Sequence, residues 1–407
     1  MSDDKFSILN WRFGQTTLES SAGVGAIAKS EGSAAAWPTK YWHPLEDSQN
    51  SDPAQAVVVA GQIKSGIQVQ CDLCPRECKL REGQQGLCFV RACHDGEIVL
   101  TSYGRSSGFC LDPVEKKPLN HFFPGSAVLS FGTAGCNLAC KFCQNWEISK
   151  SREMDSLADS ASPEALVAAA VTHGAKSIAF TYNDPIIFHE YAIDVAAMAR
   201  ESGINSIAVT AGYVNPEPRA EFFSAMDATN IDLKGFTQDF YRNVCGGHLH
   251  KVLDTLLYVH TETNVWLEIT TLLIPGENDS PGELEQMCRW IVDNLGVDVP
   301  LHFTAFHPDF KMRDKSATSM TSLLTARAIA TNAGIHHVYT GNVHDVAASS
   351  TYCVHCGECL IERDWYQLGA WRLDAQGCCT RCGTWVAGVF AEKPGDWGAK
   401  RQVVRLS

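Results

Sequence analysis

Long apolar runs are missing from this sequence. Its aliphatic stretches are short, such as Ala165 to Val171, and none approaches the ~18 residues of a membrane-spanning helix. The opening residues, MSDDKFSILNWRFG, begin acidic and carry no apolar leader with a small-residue cleavage site, so a cytoplasmic location is expected. Positive charge is scarce too: 33 Lys and Arg stand against 46 Asp and Glu, a formal charge of −13. That balance repels a phosphate backbone and argues against a nucleic-acid partner. Cysteine, at 17 of 407 residues, falls below the ~8–10% that marks a disulfide scaffold.

The cysteines that are present sit in clusters. Nine lie between Cys71 and Cys143 and six between Cys353 and Cys382, with only Cys245 and Cys288 outside. An odd number in short-spaced groups points to metal chemistry in a reducing compartment, not to cystines.

Composition divides the chain into four parts. Residues 1–60 lack a period and read as a partly ordered extension, in which Trp11, Trp37, Tyr41 and Trp42 can pack on a neighbouring surface. Residues 61–115 form a cysteine-rich metal-binding segment punctuated by Pro75, Gly83 and Gly86. From Ala127, strand and helix signals alternate. Strands are expected at AVLSF, at SIAFTY from Ser177, SIAVTAG from Ser206, NIDLKG from Asn230, VWLEITTLLIPG from Val265, PLHFTAFHP from Pro300 and HHVYTGN from His336. Among the helices, SPEALVAAAVTHG has Ser162 as N-cap, Pro163 at the first position and Gly174 as stop. Repeated βα units require parallel strands, so the fold class is α/β, a partial (β/α) barrel over 116–345. Functional residues should gather at the carboxyl ends of its strands. Residues 346–407 read as a zinc-ribbon-like module.

The strongest motif is GTAGCNLACKFCQNW, Gly132 to Trp146, which places Cys136, Cys140 and Cys143 in C-x₃-C-x₂-C directly after the first barrel strand. Three thiolates can hold three irons of a [4Fe–4S] cluster and leave the fourth open, whereas electron-transfer clusters take four cysteines. This spacing, with Phe142 before the last cysteine, resembles the radical S-adenosylmethionine (SAM) signature. More of the chain extends the likeness: DPVEKKPLNHFFPGS from Asp112, TYNDPIIFHEY from Thr181, NIDLKG, EITTLLIPGEND from Glu268 and YTGNV from Tyr339 follow in order. Together they are similar to the radical enzyme of the AmmeMemoRadiSam system, a relative of the pyruvate formate-lyase activating enzymes.

The resemblance implies a radical SAM enzyme that cleaves SAM to a 5′-deoxyadenosyl radical, which abstracts hydrogen from an unidentified protein or small-molecule substrate. It implies a [4Fe–4S] cluster at Cys136, Cys140 and Cys143 and a low-potential electron donor such as flavodoxin or ferredoxin. Tyr182, Asn183, Asp184 and Pro185 match the loop that receives the methionine amino group, with Asp where the superfamily has Glu. Phe142 joins them as a cofactor-binding residue. Lys234 and Glu268 are either pocket residues or a salt bridge in the barrel mouth. Ile274 to Gly276 matches either the segment bordering the adenine or a plain strand-to-loop turn, and Lys116 and Lys117 form either a lid or a solvated turn. Activation of a glycyl-radical enzyme is the alternative within this chemistry. A non-catalytic iron–sulfur and zinc electron carrier or scaffold is the alternative outside it.

Two further cysteine sets stand apart from the triad. Cys71, Cys74, Cys78 and Cys88, in C-x₂-C-x₃-C-x₉-C, offer four soft ligands to zinc or to a second iron–sulfur centre. Cys353, Cys356, Cys379 and Cys382 make two C-x₂-C-G knuckles, a zinc-ribbon pattern for which rubredoxin-type iron is the competing occupant. Cys359, Cys378 and His355 fall outside that ligand set, Cys93 and Cys110 read as spectators, and Cys245 reads as an ordinary buried thiol, or else as a barrel-mouth cysteine able to quench or relay a radical.

Overall fold

The computed structural model describes residues 36–45, 57–59, 62–64, 68–150 and 159–406. Trp11 and most of the expected N-terminal extension lie outside the described residues. Trp37, within them, stacks on Tyr103 with ring centroids 3.6 Å apart, and the Tyr41 hydroxyl donates to Glu221.

The central sheet is assembled from short apolar runs buried on both faces, the pattern of parallel strands covered by helices. Its strands are β1 (Arg105–Pro113), β2 (Ala127–Gly132), β3 (Ser177–Phe180), β4 (Asn205–Thr210), β5 (Ala228–Asp232), β6 (Trp266–Leu273), β7 (Leu301–Ala305) and β8 (Val338–Gly341). Strands β2 to β8 are parallel and pair in chain order. The helices α1 (Pro163–Thr172), α2 (His189–Glu201), α3 (Pro216–Ser224), α4 (Leu249–Glu262), α5 (Pro281–Leu295) and α6 (Met320–Asn332) lie between them. The path ends on β8 without returning to β1, so the barrel is partial.

Helix starts follow local chemistry. The Ser162 hydroxyl accepts from the Ala165 amide at 3.3 Å, with Pro163 at the first helical position. Ser280 and Pro281 repeat the device at α5.

Both barrel margins differ from the compositional boundaries. β1 runs antiparallel to β2, Leu111 opposite Leu129, so a strand from the cysteine-rich segment belongs to the barrel sheet. At the far end, Gln402–Val403 leaves the C-terminal module and pairs with Leu111 and Cys110 of β1. The tail strand is two residues long, and β1, RSSGFCLDP, has no apolar alternation, so neither reveals its pairing from sequence.

The amino-terminal ends of the strands form a closed floor. Val128, Ala179, Ile207 and Ala228 point inward and meet Val114, Leu119 and Phe122 from the segment between β1 and β2. Beside them Asn230 donates to the Pro118 carbonyl at 2.8 Å. The C-terminal module presses on the same floor. Arg363, 1% exposed, donates to Thr351 at 2.7 Å and to the Asn120 carbonyl at 2.6 Å. The His121 ring bridges the Ala387 carbonyl (2.6 Å) and the Tyr339 hydroxyl (2.5 Å). No helix among the described residues is long and apolar enough to cross a membrane.

Candidate active site

Cys136, Cys140 and Cys143 follow β2 at the carboxyl-end mouth, opposite the floor. Loops from the next three strands hold the cysteine loop in place. After β3, Asn183 donates to the Gly135 carbonyl (2.9 Å) and the Thr133 hydroxyl (3.2 Å) and accepts from the Thr133 amide (3.3 Å). After β4, the Tyr213 carbonyl accepts from Asn137 at 2.9 Å. After β5, the carbonyls of Cys245 and Val244 accept from Ala139 (2.9 Å) and Lys141 (3.0 Å). Glycine is required at two close approaches: a Cβ on Gly132 would sit 2.4 Å from the Thr181 carbonyl oxygen, and one on Gly135 only 1.9 Å from that of Cys88.

The surroundings prepare the sulfurs unequally. The Cys140 thiol is drawn down to about 7, first because Cys245 hydrogen-bonds to it, against the opposing effect of burial. Burial instead pushes Cys136 up to about 12. Cys143 lies 3.0 Å from the Ser149 hydroxyl, and Lys150 donates to the Leu138 carbonyl at 2.7 Å, bringing positive charge to the loop. Lys234, paired with Asp232 at 2.8 Å, stands 5.8 Å from the Phe142 ring centre. Burial opposes its charge, but Asp232 and Cys140 hold its pKa well above the ordinary lysine value. Three soft donors on one loop, with cations beside them, suit an anionic iron–sulfur cluster that lacks a fourth cysteine.

The loop after β3 divides its duties. Asn183 is the clamp just described. Asp184 is 4% exposed and spends its carboxylate on the Ile186 amide (3.1 Å), the Thr210 hydroxyl (2.9 Å) and the Ala211 amide (3.0 Å). Pro185 opens the 3₁₀ turn that Asp184 caps. Tyr182, at φ +72°, turns its ring toward Gly108 of β1, with the Lys117 ammonium 5.7 Å from the ring centre. Lys117 is buried and paired with Asp112 at 3.0 Å, and Lys116 reaches the same carboxylate at 2.9 Å. That geometry is an internal ion pair, neither a solvated turn nor a lid.

Glu268 requires a correction. It is the third residue of β6 and faces the floor, where it accepts from the Asn120 amide (2.9 Å), the His121 amide (2.7 Å), the Trp266 indole (3.0 Å) and His302 (2.6 Å). It is fully buried and anchors the floor segment, at the opposite end of the strands from the cysteine triad. The EITT pattern marked a strand but gave no direction along it.

Sequence reasoning also missed one residue and placed another without its partner. Asn278, beyond the Ile274 to Gly276 turn, donates to the carbonyls of Lys234 (2.7 Å) and Leu272 (2.9 Å) and so ties the tops of β5 and β6 together. Cys245, read as an ordinary buried thiol, does lie at the mouth, and its distance in sequence hid its contact with Cys140.

In the C-terminal module, Cys353, Cys356, Cys379 and Cys382 converge so that all four sulfurs lie within 4.8 Å of one another, with Cys353–Cys382 at 3.5 Å and Cys356–Cys379 at 3.7 Å. Tetrahedral zinc with Zn–S bonds of ~2.3 Å would set sulfurs about 3.8 Å apart, so this donor set fits it. Gly357 and Gly383, at φ +71° and +75°, close the two knuckles by donating to the carbonyls of Cys353 and Cys379. His355 is exposed and lies outside the set, as do Cys359 and Cys378.

Residues 131–291 match the family model of the radical SAM superfamily. The chain is 37% identical over 316 residues to an uncharacterized protein of Methanocaldococcus jannaschii, covering 77% of this chain and 94% of that one. It is similar to a solved domain of a pyruvate-formate lyase-activating enzyme from Bacteroides vulgatus, at 18% identity and a TM-score of 0.37, over 41% of this chain and 99% of that one. It is also similar to a radical SAM methyltransferase from Sphaerobacter thermophilus, at 16% identity and a TM-score of 0.43, over 58% and 71%.

Proposed function

This chain belongs to the radical SAM superfamily, and from that membership we propose that it cleaves SAM reductively at the Cys136, Cys140 and Cys143 loop and abstracts hydrogen from a substrate admitted at the barrel mouth. When bound there, a [4Fe–4S] cluster with one open iron supplies the electron that breaks the sulfonium bond and yields a 5′-deoxyadenosyl radical. The protein's part is to hold, shield and orient. Asn183, Tyr213 and Cys245 fix the cysteine loop. Phe142, 4% exposed, keeps water from the sulfurs. Lys234 supplies a fixed positive charge at Cys140. A low-potential protein donor of the flavodoxin or ferredoxin class delivers the electron, and zinc in the C-terminal quartet secures the module on the floor.

One observation carries this reading. The loop presents three thiols directly after β2, and the further cysteine that reaches it, Cys245 in the loop after β5, meets Cys140 through its backbone carbonyl, 4.0 Å from the Cys140 sulfur. The test is anaerobic reconstitution with iron and sulfide, reduction with dithionite and addition of SAM. The protein should release 5′-deoxyadenosine, and a variant with Cys136, Cys140 and Cys143 all changed to Ala should release none. An intact, reduced cluster that leaves SAM uncleaved and its own EPR spectrum unmoved by SAM would overturn the proposal.

A further inference from the structure

The upstream quartet is built differently from the zinc-ribbon quartet. Cys71, Cys74, Cys78 and Cys88 line one pocket together with Arg91 and Asn137. Cys71 sits at the end of a strand, Gln68–Cys71, whose neighbour Lys79–Leu80 begins just after Cys78, and the Cys71 amide donates to the Cys78 carbonyl at 2.9 Å. The hairpin thus brings three of the cysteines together, and the turn at Gly86 brings Cys88 back to them, with the position of a Gly86 Cβ only 3.6 Å from the Cys78 sulfur.

Sulfur spacing separates the three cysteine sets. Among the described residues, mutual approach of three or more donor atoms to within 4.8 Å occurs at the C-terminal quartet, and neither the Cys136 triad nor the upstream quartet shares it. One zinc ion draws all its sulfurs to a common point, about 3.8 Å apart. In a cubane each cysteine bonds its own iron, so the sulfurs must stand farther apart around a larger body. The upstream quartet sets its thiols around a pocket, together with Leu73, Leu80 and Ile187.

The quartet also lies between the surface and the triad. Leu87, at the pocket wall, is 41% exposed, and Cys78 is partly exposed. On the inner side, the Cys88 carbonyl packs directly on Gly135, the residue before Cys136. Arg76, between Cys74 and Cys78, donates to the Asn137 carbonyl at 2.8 Å and also to the Gly246 carbonyl. Arg91, 1% exposed and paired with Glu190, places a fixed cation beside Cys71 and Cys88. A buried cation beside the sulfurs is one of the means by which a protein sets a cluster's potential.

We propose that Cys71, Cys74, Cys78 and Cys88 hold a second [4Fe–4S] cluster, fully ligated by cysteine, which relays single electrons from a donor docked near Leu87 to the centre at Cys136, Cys140 and Cys143. The balance is one electron per transfer: a reduced flavodoxin or ferredoxin is oxidised by one electron, the quartet cluster is reduced and reoxidised, and the triad cluster is reduced. No proton moves and no bond breaks in the relay. The relay role rests on the reading of the triad as the SAM-binding centre; the cluster assignment does not.

Metal and sulfide counts on the anaerobically reconstituted full chain, with Mössbauer spectra, test the assignment without any substitution. About eight iron and eight sulfide per chain are expected, ~4 of each per cubane, together with about one zinc. About four iron with about two zinc would give the quartet to zinc and overturn the assignment, and about four iron with about one zinc would do the same. The variant with Ala at Cys136, Cys140 and Cys143 should keep about four iron and a reducible cubane EPR signal that SAM does not alter. The variant Cys71→Ser, Cys74→Ser should lose that signal, keep the SAM-sensitive one, and still cleave SAM with dithionite. Its reduction by flavodoxin should slow at least tenfold, and an unchanged rate would remove the relay. Eight iron with no response to SAM at either centre would sink the radical SAM reading and leave the second cluster standing.

Discussion

Asn183→Leu should free the cysteine loop while leaving the barrel folded. The Asn183 side chain is 7% exposed and makes three hydrogen bonds, at 2.9, 3.2 and 3.3 Å, to Thr133 and Gly135. Leucine has the same branched heavy-atom skeleton but neither donates nor accepts, so the Thr133 amide and Gly135 carbonyl lose buried partners. At ~1 kcal/mol for each bond, the ordered loop loses about 3 kcal/mol relative to its open form. That is about a 100-fold increase in local opening. Native-state hydrogen exchange on the metal-free chain reads it directly: amides at 133–136 should exchange about 100-fold faster, while Ile178 within β3 keeps its wild-type rate. After reconstitution, the variant should lose iron to a chelator faster than wild type. Loop exchange within threefold of wild type, with unchanged iron retention, would refute the clamp.

Cys245→Ala removes a weak S–H donor from Cys140. If the bond favours the more negative reduced cluster by up to ~1 kcal/mol, the triad potential should fall by up to about 40 mV at unchanged iron content. Loss of one iron, or a new SAM-dependent EPR species, would instead make Cys245 a ligand. Asp112 is a case of pH dependence. Burial pushes its carboxyl up, but the Lys117 and Lys116 ammoniums outweigh this and hold it at about 2, against an ordinary 3.8. A depressed folded pKa stabilises above the unfolded value and loses that effect as pH falls through the folded one, so about 2 kcal/mol should be constant from pH 5 to 7 and fade below pH 4. Urea unfolding of the metal-free chain should show that fade in wild type and not in Asp112→Asn. The variant should also be ~3–5 kcal/mol less stable at pH 7, because Lys117 is left buried and unpaired. Identical acid profiles would mean that the ion pair carries none of the acid sensitivity.

What could be read from sequence was what lies close together along the chain. The spacing of Cys136, Cys140 and Cys143 and the two C-x₂-C-G knuckles place ligands within one loop or one turn, so side-chain type and spacing nearly determine the site. Strand runs such as AVLSF and SIAF could be read for the same reason. Glu268 could not: its partners Asn120 and His121 lie 148 and 147 residues away, and nothing in EITT says which end of the strand it occupies. Cys245 is 105 residues from Cys140, and only the return of the chain through β5 brings them together. The short tail strand at Gln402–Val403 has no pattern of its own and is defined by the edge it joins.

The two ends of the barrel therefore carry opposite demands, and the sequence spends different residues on each. The mouth needs mobile chemistry held in a rigid frame, and it is built from loops tied by asparagine side chains to neighbouring carbonyls. The floor needs closure. Small inward residues, Ala179 and Ala228, leave room that Leu119 and Phe122 fill from below. The inward polar groups Asn230, Glu268 and His302 would be costly there without partners. The segment 118–121 supplies partners to Asn230 and Glu268, and His302 pairs with Glu268. Arg363 of the C-terminal module, and Tyr339 of β8 through its bonds to His121 and Thr351, then fasten that segment to the module. A floor plug held by backbone hydrogen bonds keeps its shape only if something holds the plug, and the module with its four converging cysteines does so. Parting those four cysteines should therefore loosen the floor first, and reach the mouth only through the strands that join the two ends.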